Sequence, residues 1–182
     1  ANEFILKDNF GSSGINVFKI KPESSFEEIA QKAEQENEIN ADVWYVLQPL
    51  VECEHGFVIG PYFGMIDVRL WTINDNVLNT SIRIAKKDEF RTNIHQGGSE
   101  IFIEKSDVPQ EIYDMAKKIR ERLDIQSSFY ALDFIRSNNG NVYFIEGNSS
   151  PGIDWTTDPV HEARQKKTIE ILVDIFKEKV HK

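Results

Sequence analysis

The chain has 182 residues, 40% of them hydrophobic and 28% charged, an ordinary composition for one large domain or two small lobes. Its formal net charge of −9 excludes a protein that tracks nucleic-acid phosphates through a broad basic face. No apolar run is long enough to span a membrane, and the single cysteine, Cys53, excludes an internal disulfide, so a cytoplasmic protein is expected.

The opening "ANEFILKDNFG" already reads as a strand running into a loop, and a piece of a larger architecture is expected. Glu3 to Lys7 and Ile15 to Lys21 alternate as two strands joined by the glycine-bearing loop Asp8 to Gly14. "PESSFEEIAQKAEQENEI" is predicted as a helix, with Ser24 and Ser25 as N-cap candidates, acids in its first turn and Phe26, Ile29, Ala30 and Ala33 on its apolar face. "DVWYVLQPLVE" is a strand ending at Pro49. "MIDVRLWTI" and "VLNTSIRIA" are two more, separated by the turn "NDN". A helix begins near Pro109, with Ile112, Met115, Ile119 and Leu123 as its stripe. "SSFYALDFIRS" and "NVYFIEG" form a hairpin, and a last helix, about Val160 to Val180, carries Ile169, Leu172, Ile175 and Phe176 on one side. Hairpins outnumber parallel crossovers, so the fold class is α+β with antiparallel sheets.

The last hairpin carries the first chemical signal. With Asn139-Gly140 as a type I′ turn, Asn138 faces Asn141, Ile135 faces Phe144 and Asp133 faces Glu146. Alternation then sends Leu132, Phe134, Tyr143 and Ile145 to a core, and Asp133, Glu146 and Asn148 to the other face. Two carboxylates directly opposite each other repel. A divalent cation held by hard oxygen ligands, with Mg²⁺ first and Mn²⁺ second, is the natural compensation. The plainer alternative is a pair of acids facing water at a sheet rim, and the metal reading depends on the register.

Other signals are weaker alone. The glycines of "KDNFGSSG" let backbone N–H groups approach phosphate, and Lys7 adds a charge, but the same residues serve as a plain hairpin connection. Asp67 and Arg69 share a strand face, Arg83 stands on the next strand, and Arg91, Asn93 and His95 precede a Gly pair. Arginine suits forked recognition of phosphate and carboxylate, although each could be an exposed ion pair. His95, Cys53 and the tryptophans read as local or packing residues.

Taken in order, "FILKDNFGSSGINVFKI", "WYVLQPLVE", "DVRLW", "SIRIAKKDEFRTNIHQGG", "YALDFI" and "FIEGNSSPGID" resemble the ATP-grasp superfamily, nearest its RimK-type branch of ribosomal-protein glutamate ligases and amino-acid ligases. The resemblance covers nearly the whole chain. It implies two α/β lobes enclosing ATP between antiparallel sheets, with residues 1–50 as part of the small lobe and 51–182 as the large lobe with the metal site. It further implies that Lys7 meets the nucleotide and that Gly11, Ser12, Ser13 and Gly14 cover its phosphates. Gln48, Pro49, Leu50 and Val51 would read adenine, and Glu52 or Glu54 the ribose. Arg69, Arg83 and Asn93 would be phosphate or acyl-phosphate residues, and Asp133, Glu146 and Asn148 the Mg²⁺ ligands. The implied reaction joins a small-molecule or peptide carboxylate to an amine through an acyl phosphate, releasing ADP and phosphate. Two other readings stand beside it: a non-catalytic ATP-binding regulatory module and a phosphotransferase. The pattern departs in three places. A preceding substrate domain and the start of the small lobe are not in the chain, and "CEHGFVIGPYFGMI" is longer than the family norm. Association with the absent N-terminal part is therefore expected for activity, and a homo-oligomer is the other expected assembly.

Overall fold

The computed structural model describes residues 3–9, 14–35, 44–74, 76–123, 128–153 and 159–180. Near the start, β1 (Phe4–Asp8), β2 (Val17–Ile20) and β3 (Tyr45–Pro49) form an antiparallel sheet in the order β2-β1-β3. Helix α1 (Phe26–Gln35) follows β2. Ser25 caps it reciprocally: Glu28 N–H donates to Ser25 Oγ at 3.2 Å, and Ser25 N–H donates to Glu28 Oε2 at 3.0 Å. Phe18 and Ile20 are buried against Phe4, Leu6, Ile29 and Tyr45. The side chains of Phe26 and Ala33 lie outside the described residues.

The longer sheet is built from β6 (Ile66–Ile73), β7 (Asn76–Ile84), β8 (Ser99–Phe102), β9 (Phe129–Arg136) and β10 (Val142–Asn148), in the order β10-β9-β6-β7-β8 with every pairing antiparallel. Period-two alternation gives it two unlike faces. Val68, Leu70, Ile82, Leu132 and Phe134 form one core with Ile112 of helix α2 (Gln110–Leu123), and Met115 and Ile119 pack onto it. The other face is polar in its middle. Reading across it, Glu146 stands opposite Asp133 and Asp133 opposite Arg69; one row along, Asp67 stands opposite Arg83 and Arg83 opposite Glu100. Helix α3 (Pro159–Val180) is tied to the sheet by a hydrogen bond between Asn79 and Thr168 and by edge-on contact of the His161 and Phe102 rings.

The expected α+β class with antiparallel sheets is observed, and several details differ. The stretch "CEHGFVIGPYFGMI", which reads as longer than the family norm, contains a hairpin, β4 (Phe57–Ile59) and β5 (Tyr62–Gly64). Strand β8 has no forecast counterpart, because its four residues, Ser99–Phe102, are too few to show a period. Leu123 and Phe176 are more than half exposed, so the predicted stripes of α2 and α3 each lose their end residue.

The β9–β10 hairpin reaches the expected pairing by an unexpected route. Its loop has three residues, with Ser137 bonded to Asn141 and Gly140 in the left-handed region at φ 92°. Ile135 therefore faces Tyr143, not Phe144. A bulge at Ile145 takes up the extra residue, and Glu146 then faces Asp133 as the sequence predicts. Tyr143, predicted to be core, shares the polar face with Ile135 and is 40% exposed. Ile145 likewise leaves the core and lines the cleft described below.

The segment after β3 is held against this hairpin turn. Asn138 N–H donates to the Glu52 carbonyl at 2.8 Å, Asn138 Oδ1 accepts from His55 N–H at 2.9 Å, and its Nδ2 donates to Glu54 at 3.1 Å. Gly56 permits this approach, since a Cβ there would come within 1.6 Å of the Arg136 carbonyl oxygen. Gly56→Ala is therefore expected to cost about 1–3 kcal/mol through forced backbone displacement, read as a lowered midpoint of urea unfolding.

Candidate active site

A cleft of about 1550 Å³ lies between the two sheets. From β1 and the β2 end of the glycine loop come Lys7 and Gly14, and from the end of β3 come Gln48, Pro49, Leu50, Val51 and Glu52. The long sheet supplies Arg69, Arg83, Glu146 and Asn148, and the loop before β8 supplies Asn93. The structure thus brings together the sequence-predicted residues it describes, except that Asp133 lies just beneath the cleft floor at 1% exposure. Gly11, Ser12 and Ser13 fall outside the described residues. Of the two ribose candidates, Glu52 lines the cleft, whereas Glu54 is turned to Asn138.

The floor is a buried ion network. Arg69 donates to both oxygens of Asp133, at 2.8 and 2.7 Å. Arg83 grips Asp67 in the same two-pronged way, at 2.9 and 2.7 Å, and its second terminal nitrogen also donates to Asp133 at 2.7 Å. Flat guanidinium forks meeting flat carboxylates are the strong geometry for such pairs. These bonds use Nε and Nη2 of each arginine and leave Nη1 out. The charge that the sequence assigned to a cation for compensation is thus met in part by Arg69 and Arg83.

The network splits the carboxyls. Burial would raise Asp133, but the Arg69 hydrogen bonds and the Arg83 charge hold it below the ordinary carboxylate value. Burial outweighs Arg83 at Asp67 and pushes it up. Glu146 is raised first by burial and then by the charge of Asp133. Cys53, buried near Glu54 and Asp67, is pushed up to about 11 and so stays a protonated packing thiol.

The donor set suits a hard dication. Glu146 and Asn148 face the cleft, Glu146 enters no ion pair among the described residues, and Asn148 Oδ1 is oriented by the Ser150 N–H at 2.9 Å. Asp133 Oδ1 accepts one of the arginine bonds, whereas Oδ2 accepts two. Among the described residues there is no cluster of three His, Cys, Asp or Glu side chains able to hold a metal by themselves. Two carboxylates and a carboxamide match Mg²⁺, which keeps most of its coordination for water and phosphate.

Two interactions connect the cleft walls. Lys7 Nζ donates to the Ile145 carbonyl at 3.3 Å, at the bulge beside Glu146. Arg91, anchored by Glu89, donates to the Gly14 carbonyl at 3.2 Å, and a Cβ on Gly14 would meet the Asn93 amide oxygen at 2.6 Å. Sequence reasoning left Thr92 and Glu100 unassigned and gave Asp67 no role. Thr92 hydrogen-bonds Asp67, and Glu100 accepts from Ser81 Oγ at 2.7 Å. For Asp67 the available signal was its place two residues before Arg69 on one strand face; Thr92 in a loop and Glu100 on a four-residue strand gave none.

A family model described as the RimK-like ATP-grasp domain matches residues 2–172. The chain belongs to the RimK-like ATP-grasp family. A curated relative, a probable alpha-L-glutamate ligase of Histophilus somni strain 2336, is 32% identical over 150 residues, which is 82% of this chain and 44% of that protein. A probable alpha-L-glutamate ligase 1 of Shewanella denitrificans is 31% identical over 116 residues, 64% of this chain and 36% of that one. The chain therefore spans less than half the length of these relatives. Solved structures share the ATP-grasp fold at low identity. D-alanyl-alanine synthetase A from Vibrio cholerae aligns with a TM-score of 0.60 at 13% identity, over 99% of this chain and 53% of that one. The ATP-grasp ligase PsnB, in complex with a phosphomimetic variant of its minimal precursor, Mg and ADP, aligns at 0.55 and 16% identity, over 95% of this chain and 46% of that one.

Removing Arg83 strands two buried carboxylates. Arg83→Met is expected to destabilise the ATP-grasp chain by about 3–5 kcal/mol, measured by chemical unfolding at neutral pH. Glu146 gives the opposite sign. Its raised folded-state value favours the fold at pH below the ordinary glutamate value, and that contribution is lost as pH rises through the folded-state value. Without metal, Glu146→Gln should stabilise the chain at neutral pH by about 0.5 kcal/mol, the scale of a like-charge cross-strand pair, and the gain should vanish in melts below the ordinary glutamate value.

Proposed function

We propose that this chain carries the nucleotide and metal centre of an ATP-dependent carboxylate–amine ligase. The observation that supports it most is the charge order across the floor of one cleft: carboxyls on β9 and β10, arginines on β6 and β7, and the β3 end with Lys7 forming the opposite wall. Residues 1–50 are read as part of the small lobe and 51–182 as the large lobe.

ATP lies with its base against Gln48, Pro49, Leu50 and Val51, its ribose near Glu52, and its phosphates between Lys7, the Gly11–Gly14 loop and the long sheet. Mg²⁺, with Mn²⁺ as its substitute, would be held by Asp133, Glu146 and Asn148 and would offset phosphate charge. A substrate carboxylate attacks the γ-phosphorus, giving an acyl phosphate and ADP. Arg69 and Arg83 each offer Nη1 to the transferring phosphoryl group, while their other nitrogens stay locked on Asp133 and Asp67. Asn93 donates its carboxamide N–H to the acyl phosphate. An amine then displaces phosphate to form the amide. No side chain forms a covalent bond to substrate in this scheme, so positioning and charge carry the catalysis.

The relatives named as glutamate ligases support an amino acid or peptide as substrate. No helix among the described residues is long and apolar enough to cross a membrane. The remaining part of the relatives' length is where a substrate domain or a self-association surface would lie.

Calorimetric titration with a non-hydrolysable ATP analogue tests the reading. Binding should tighten with Mg²⁺, and Glu146→Gln should abolish the Mg²⁺ dependence while the fold persists. Unchanged Mg²⁺ dependence in that variant would overturn the metal assignment. Binding without ADP production from any carboxylate and amine would favour a regulatory module.

A further inference from the structure

Glu100 has no part in the scheme so far. It stands on the edge strand β8, opposite Arg83, and lines the cleft. Its Oε1 accepts from Ser81 Oγ, and among the described residues Oε2 has no hydrogen-bond partner. Three strand spacings of about 4.8 Å separate β8 from Asp133 on β9. Glu100 is thus too distant to complete the Asp133–Glu146–Asn148 set. The arginines lie between the two groups of acids, so a phosphoryl group held by Arg83 has the metal side on one flank and Glu100 on the other.

The second half-reaction needs a group on that flank. An amine is an ammonium at neutral pH and cannot attack an acyl phosphate until a proton leaves. The other acids nearby are committed: Asp67 is held by Arg83 and Thr92, and both oxygens of Asp133 accept from arginines. Glu100 alone among these offers an open oxygen beyond the arginines. Burial pushes its carboxyl up, and the Ser81 hydroxyl with the charges of Arg69 and Arg83 pulls it back only in part. A carboxylate so raised is a better proton acceptor than an exposed one.

We propose that Glu100 receives the ammonium of the acceptor substrate on Oε2 and takes its proton before amide formation. The assignment rests on the ligase reading above. In the step, the ammonium N–H bond breaks and its proton passes to the Glu100 carboxylate. The freed nitrogen lone pair forms the C–N bond, and the acyl carbon–oxygen bond breaks with its electrons leaving on phosphate. The second amine proton leaves with phosphate or water, and Glu100 returns its proton to solvent.

Hydroxylamine separates this role from a structural one, because it is neutral at neutral pH and traps an acyl phosphate as a hydroxamate without surrendering a proton first. The chain is incubated with ATP, Mg²⁺ and the common amino acids as carboxylate and amine sources, with and without hydroxylamine. Glu100→Gln should slow amine-dependent phosphate release about a hundredfold while hydroxamate formation stays within about twofold of wild type. Glu100→Asp should recover part of the amine-dependent rate. His95→Gln, which removes the exposed histidine on the same side of the cleft, should leave both rates unchanged. Loss of both rates together in a folded Glu100→Gln protein, shown by an unchanged melting temperature, would make Glu100 a support for phosphoryl transfer and overturn the proposal. No loss of either rate would overturn it too. A wild-type protein that yields neither phosphate nor hydroxamate even in its full-length form would sink the ligase reading itself, and this assignment with it.

Discussion

Arg83 is the residue on which the polar face depends. One guanidinium, 6% exposed, binds Asp67 through two nitrogens and shares a third bond with Asp133. Without it, the sheet would bury two carboxylates within reach of each other and with Arg69 alone for compensation. With it, β6, β7 and β9 are cross-braced through side chains as well as through their ladders. Such networks seldom add net stability over an apolar core. Their value here is geometric: a planar fork held at two points has little freedom left at its third nitrogen.

The same bracing extends beyond the sheet. Asp67 also receives the hydroxyl of Thr92, which places the 89–96 loop, with Arg91 and Asn93, over the sheet. Arg91 in turn reaches the Gly14 carbonyl. A chain of polar contacts therefore runs from the sheet floor through one loop to the end of the glycine loop. Beyond the end of β3, the three hydrogen bonds of Asn138 serve a similar purpose, fixing the segment after β3 against the β9–β10 turn.

Much of this was legible in the sequence. Period-two alternation placed Asp67 with Arg69 on one strand face and Asp133 with Glu146 and Asn148 on another, and the family resemblance linked those strands to one site. The pairing of Asp133 with Glu146 was legible too, although the three-residue loop and the Ile145 bulge changed the partners nearer the turn. Loop type and bulge are choices among conformations of similar energy, and residue type alone does not separate them. Glu100 was not legible. It sits on a four-residue strand, too short to show a period, and its significance comes from standing opposite Arg83, a pairing that the long connection between β7 and β8 does not reveal in the sequence.

The Ile145 bulge has a consequence for Lys7. A bulged residue falls out of the ladder, so its carbonyl can accept from elsewhere, and here it accepts the Lys7 ammonium. That ammonium has already exchanged part of its water for a protein dipole. When an anionic group arrives, Lys7 trades one fixed acceptor for another and sheds less solvent than a lysine held in bulk water. The irregularity in one strand thereby lowers the reorganisation needed at the opposite wall.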